Sequence, residues 1–197
     1  MAPLTQPPAF GALGSVLRQL TTMEVYLAVG VMVCVGVAAA WDVQQGRIPN
    51  WLTYAATAIG LVSRLLLGGG RSCLDGLSAG LIGGGIFFIF FLVRGMGAGD
   101  VKLMTAVGVW SGLSHLPAVL IATALAGGIL ALGFMVLHKR ALTTLRNVGA
   151  LFRFHLLSGL APHPEINLQN PRALRVPYAL AIAVGTIYVH GISLMRG

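Results

Sequence analysis

The stretch GMGAGDVKL, Gly95 to Leu103, decides how this chain is read. It sets an aspartate and a lysine after three alternating glycines, between long apolar runs. The chain has only five acidic residues: Glu24, Asp42, Asp75, Asp100 and Glu165. Of its 197 residues 56% are hydrophobic and 9% charged, with a mean hydropathy of +0.85. A soluble domain averages about 25% charged residues. Most of this surface must therefore face something other than water, and the expected fold is an all-α, polytopic membrane helix bundle.

The apolar runs predict about six transmembrane helices: Val25–Trp41, Trp51–Leu67, Leu74–Val93, Val101–Leu113, Leu116–Leu137 and Val176–Leu194. The fourth is short for a bilayer core that takes roughly 20 helical residues to cross. Arg64, near the end of the second run, is expected to reach along it to the membrane surface. Gly76, Gly80 and Gly84 recur every four residues, a spacing that lets helix backbones approach closely in lipid. Trp41, Trp51 and Trp110 flank runs and are read as interface markers. Residues 1–22 hold three prolines and one basic residue, Arg18, and form a lead-in, loosely ordered or interfacial, without the signature of a cleavable signal peptide.

With six spans the connections alternate sides. Nine basic residues fall on one side: Arg47, Arg94, Lys102, Lys139, Arg140, Arg146, Arg153, Arg172 and Arg175. Four fall on the other, and the richer side is assigned to the cytoplasm. The net charge of +8 is thus a loop signal, and no nucleic-acid partner is expected. The one long connection, 138–175, begins with Lys139, Arg146 and Arg153 on one helical face beside an apolar stripe. It predicts a basic amphipathic segment on the cytoplasmic leaflet, against anionic lipids.

On this topology Asp42 ends the first span and Asp100 begins the fourth, both on the cytoplasmic side. Glu24 and Asp75 lie opposite. Ionisable residues near membrane depth are usually functional. Two carboxylates brought close share a proton, so one serves as base while the other serves as acid. Such a pair activates water for attack on a peptide carbonyl without a metal or cofactor. Gly97 and Gly99 would let the turn bend freely and a substrate strand come near. Two plainer roles compete: Asp100 as the N-cap of its helix, and Asp42 as an interfacial partner of Arg47. Cys34 and Cys73 are too few for a disulfide framework or a zinc cluster. His115, His138, His155, His163 and His190 show no ligand spacing. Ser111 and Ser114 beside His115 are read as outer-loop residues.

Asp42 opens DVQQGRIPNWLT and Asp100 closes GAGD before VKL. This pattern resembles the type IV prepilin peptidases, a family of membrane aspartic proteases. The residues that carry the resemblance are Asp42 with Ile48, Pro49 and Asn50, then Gly97, Gly99, Asp100 and Lys102. The segment PYALAIAVG, with Pro177 and Tyr178, is similar to the family's last span. The resemblance implies a membrane-embedded peptidase domain over 23–197, with Asp42 and Asp100 as the catalytic pair. It also implies removal of a short basic leader from pilin precursors at the cytoplasmic face of the inner membrane. The chain's size is similar to the minimal branch that serves tight-adherence (Flp-type) pili, or to the enzymes of archaeal-type preflagellin processing. No CxxC pair is present, so N-methyltransferase activity is not expected. Two rival readings are a small proton-coupled transporter and a presenilin-like intramembrane protease. The latter is disfavoured because Pro177-Tyr178-Ala179 matches its PAL tripeptide poorly.

Overall fold

A computed structural model describes residues 8–137 and 177–196. The described residues form helices α1 (Pro8–Gln45), α2 (Asn50–Leu92), α3 (Ala98–Leu137) and α4 (Tyr178–Arg196), with no strand among them. The amphipathic segment expected after residue 137, with His138, His155 and His163, lies outside them. Helix α1 starts well inside the expected lead-in.

Among the described residues four helices are long and apolar enough to cross a membrane, not six separate ones. The second and third expected spans both lie in α2, and the fourth and fifth both lie in α3. Helix α2 has 43 residues. Run straight, at 1.5 Å per residue, it would measure about 64 Å, twice a bilayer core of about 30 Å. It does not run straight. Gly69 leaves the helical conformation at φ 70°, ψ −170°. Gly60 and Gly76, on either side of that break, both pack against Val109. In α3 the break is Gly112, at φ 71°, ψ 174°. Met104 and Leu116, on either side of it, both meet Gly83. Each long helix therefore folds back on itself. Each break falls at or beside a join between two expected runs: Gly69 between Leu67 and Leu74, and Gly112 one residue before Leu113.

The Gly112 turn depends on the absence of a side chain. Its positive φ is strained for any residue with a Cβ. A Cβ there would also run into Asp75 Oδ2 and Arg64 Nη2. These two side chains take over the backbone groups that the break releases. Arg64 Nη2 donates to Trp110 O at 3.0 Å, and Asp75 Oδ1 accepts from Leu113 N–H at 3.3 Å. Arg64 Nη1 also donates to Ser72 O at 3.2 Å, just past the Gly69 break, and to Asp75 Oδ2 at 3.0 Å. Helix ends leave unpaired donors and acceptors, and a buried end needs partners of this kind. Arg64 thus turns inward, at 5% exposure, instead of reaching the surface.

The short segment 98–111 is the centre of the bundle. Leu103, Met104, Ala106 and Val107 are completely buried, while Ile121, Leu125 and Ile129 beyond Gly112 face outward. Close packing comes from small residues: Gly80 and Gly84 receive Val109 and Thr105, and Gly108 lies against the Ala79 carbonyl. Trp110 is not an interface marker. It is buried, lies over Gly30 and Gly60, and donates Nε1–H to Ala56 O at 2.8 Å.

Candidate active site

Two junctions and one helix start meet at one end of the bundle. Asp42 lies in the last turn of α1, where Gly46 N–H closes on Asp42 O at 2.8 Å and the chain turns. Ile48, Pro49 and Asn50 follow at once. Pro49 is extended, at φ −65°, ψ 135°, and starts α2. Gly97, Gly99, Asp100 and Lys102 form the entry to α3. Pro177 and Tyr178 start α4.

The aspartates have different surroundings. Asp42 Oδ2 accepts the Ala179 N–H at 3.3 Å, one of the unpaired donors of the first turn of α4. Asp100 Oδ2 accepts the Gly97 N–H at 3.2 Å. Asp100 is thus the third residue of its helix reaching back over the cap, as in a capping box, and not the cap residue itself. Both side chains are half-buried, and each lies within electrostatic reach of the other. Capping and a chemical role are compatible, because a carboxylate keeps free lone pairs after accepting one bond.

The other residues singled out by sequence gather around this pair. A Cβ on Gly99 would stand 3.2 Å from Ile48 Cβ, and one on Gly97 3.2 Å from Asp100 Oδ2. Neither glycine has a positive φ, so the backbone freedom expected of them is not what they supply. They supply room. Lys102 Nζ donates to Asn50 Oδ1 at 2.8 Å and sits 4.9 Å from the centre of the Tyr54 ring. The Tyr178 ring packs edge-on against Phe87 with centroids 6.0 Å apart, lies against Gly127, and is within electrostatic reach of Asp100. Trp41 and Trp51 meet edge to face at 6.0 Å.

Sequence reading missed the Ala179 N–H and Tyr54. A backbone donor carries no residue signature, but Tyr54 was within reach, since it lies one helical turn after Asn50. It also missed an association at the opposite end. His115 and His190, which show no ligand spacing in sequence, lie with ring centroids 5.2 Å apart and tilted by 30°. Ser111, expected in a loop, is buried within α3 and shares a hydrogen bond of 2.9 Å with His190 Nε2. Glu24, Arg64 and Asp75 line the same cavity of about 180 Å³. Among the described residues no three His, Cys, Asp or Glu side chains are placed to hold a metal ion.

The type IV leader peptidase family matches residues 29–132. The prepilin leader peptidase/N-methyltransferase of Aeromonas salmonicida (strain A449) is 32% identical over 104 residues, which make up 50% of this chain and 36% of that protein. The protein of the same description from Burkholderia pseudomallei (strain K96243) is 35% identical over 102 residues, 48% of this chain and 32% of that protein. The matched stretch is thus about a third of those relatives' length. No solved structure matches. Because the match takes in more than half of the chain, including Asp42 and Asp100, the chain belongs to the type IV leader peptidase family.

Proposed function

We propose that this chain is a membrane aspartic endopeptidase that removes the leader peptide from prepilins, with Asp42 and Asp100 as its catalytic pair. The observation that carries the proposal is the convergence of these two carboxylates from α1 and α3 at one end of the bundle. Glu24 and Asp75 lie at the other end. The relatives' descriptions name the prepilin leader as what those proteins act on.

The chemistry follows from one shared proton. The ionised aspartate takes a proton from water as the water oxygen attacks the scissile carbonyl carbon. The protonated aspartate gives its proton to the carbonyl oxygen, so the tetrahedral intermediate forms as a neutral diol. Collapse breaks the C–N bond. The proton taken from water goes to the leaving nitrogen, the other carboxylate recovers a proton from a diol hydroxyl, and the pair returns to its starting state. Gly97 and Gly99 let the Asp100 carboxylate and Ile48 close in on the entry to α3 and so set the position of Asp100. Ile48, Pro49, Asn50, Lys102, Pro177 and Tyr178 shape the site around the pair.

The topology belongs to the same proposal. Residues 23–197 form one membrane-embedded domain crossing six times, with α2 and α3 each crossing twice. The Asp42 end faces the cytoplasm across the inner membrane, where the basic connection 138–175 meets anionic lipids. The pilins served are of the Flp type. The test is co-expression with a prepilin and a mobility assay for leader loss. Asp42→Asn and Asp100→Asn are each expected to lower cleavage on the order of a thousandfold, the scale of positioned acid–base catalysis, with membrane insertion intact. Processing by either variant near the wild-type rate sinks the proposal.

A further inference from the structure

We propose that Lys102 is a positioning residue: by bonding Asn50 it fixes how far apart the two catalytic aspartates stand. The inference rests on the reading of Asp42 and Asp100 as the catalytic pair. Asn50 is eight residues after Asp42, across the turn at Gly46, and Lys102 is two residues after Asp100. The Lys102 Nζ to Asn50 Oδ1 bond of 2.8 Å therefore ties the segment just after Asp42 to the segment just after Asp100. A second seam beside that bond joins Ile48 to the space at Gly99.

A lysine on a flexible stem near an active site invites a different reading, as a charge that grips the substrate. The geometry points elsewhere. The ammonium is held from one side of α2 by Asn50 and, one turn on, by the Tyr54 ring at 4.9 Å. Both contacts lie on the element that begins eight residues from Asp42. An exposed polar bond of this sort adds little to overall stability. Its leverage is geometric, because a displacement of about 1 Å at reacting groups lowers a rate on the order of a hundredfold.

The experiment measures kcat and KM for cleavage of a purified prepilin by the full chain in detergent, at equal concentrations of folded protein. The variants are Lys102→Met, Asn50→Ala, the double variant, Lys102→Arg and Asn50→Asp, with Asp100→Asn as a reference. Lys102→Met and Asn50→Ala are each expected to lower kcat by about tenfold to a hundredfold while KM stays within about twofold. The double variant is expected to be no worse than the singles, since both remove one bond. Lys102→Arg keeps the donor and Asn50→Asp keeps the acceptor, so both are expected to keep most of the rate. A raised KM with unchanged kcat in Lys102→Met assigns the lysine to substrate contact and overturns the proposal, as does additivity in the double variant. Where Lys102→Met does not fold, the two conservative variants decide, and loss of kcat in both overturns it. Cleavage by Asp100→Asn defeats the two-aspartate reading itself. Indifference of kcat to Lys102 with Asp100→Asn inactive defeats only the positioning role.

Discussion

At Gly99 the missing side chain is a matter of a few tenths of an ångström. An added Cβ would meet Ile48 Cβ at 3.2 Å, and Ile48 is itself buried, so the contact can be relieved only by moving one junction against the other. Gly99→Val is therefore expected to lower specific activity on the order of a hundredfold, with a small change in melting temperature. Gly84→Val drives into Thr105 at the bundle centre and is expected to reduce the amount of folded protein instead. Activity per folded molecule alongside thermal melting separates the two, and equal specific activity for Gly99→Val and wild type would return Gly99 to mere packing. At this scale much was legible from sequence. An aspartate in a chain nearly free of acids stands out, and so does the glycine run before it. What the residues could not disclose was the reason for the glycines. Sequence suggests backbone freedom, whereas negative φ and a near neighbour make it a question of space.

The elements are held at their breaks by Arg64 and Asp75, of which sequence reading placed Asp75 at this end and Arg64 at the membrane surface. Arg64 was assigned to the surface because a long side chain near the end of an apolar run ordinarily reaches water. Here it finds Asp75 and two backbone carbonyls closer at hand. The signal that could have led to this was available: two opposite charges eleven residues apart, flanking Gly68-Gly69-Gly70, in runs that otherwise avoid charge. Arg64→Met leaves Asp75 without its cation and two carbonyls without their donor. It is expected to destabilise the protein by about 2 kcal/mol, mainly by leaving those carbonyls without a donor, because the Asp75 side chain is 39% exposed and keeps solvent. Asp75→Asn keeps an acceptor for the Leu113 N–H and is expected to cost about half as much. Denaturant or thermal melting in detergent checks both. An Arg64→Met variant as stable as wild type would mean that Arg64 leans outward after all.

For the whole molecule the breaks at Gly69 and Gly112 govern the number of crossings. Composition located every apolar run, and each glycine break falls at or beside a join between two runs, but the joins are too short to show that α2 and α3 stay continuous helices around them. With Cys34 and Cys73 replaced, Gln44→Cys and Gly95→Cys are expected to react with a membrane-impermeant thiol reagent from one side of sealed vesicles. Gly70→Cys and Ser114→Cys are expected to react from the other. Labelling of all four from the same side would rule out six crossings. The Arg64 pair also carries a timetable. During synthesis Arg64 emerges first, and Asp75 follows eleven residues later, so their bond can close while α3 is still inside the ribosome. Trp110 and Leu113 come some 35 residues after Asp75 and bring the last donor and acceptor to a receptacle already formed. The hairpin 50–92 is then a template, and the segment that brings in Asp100 is cast against it.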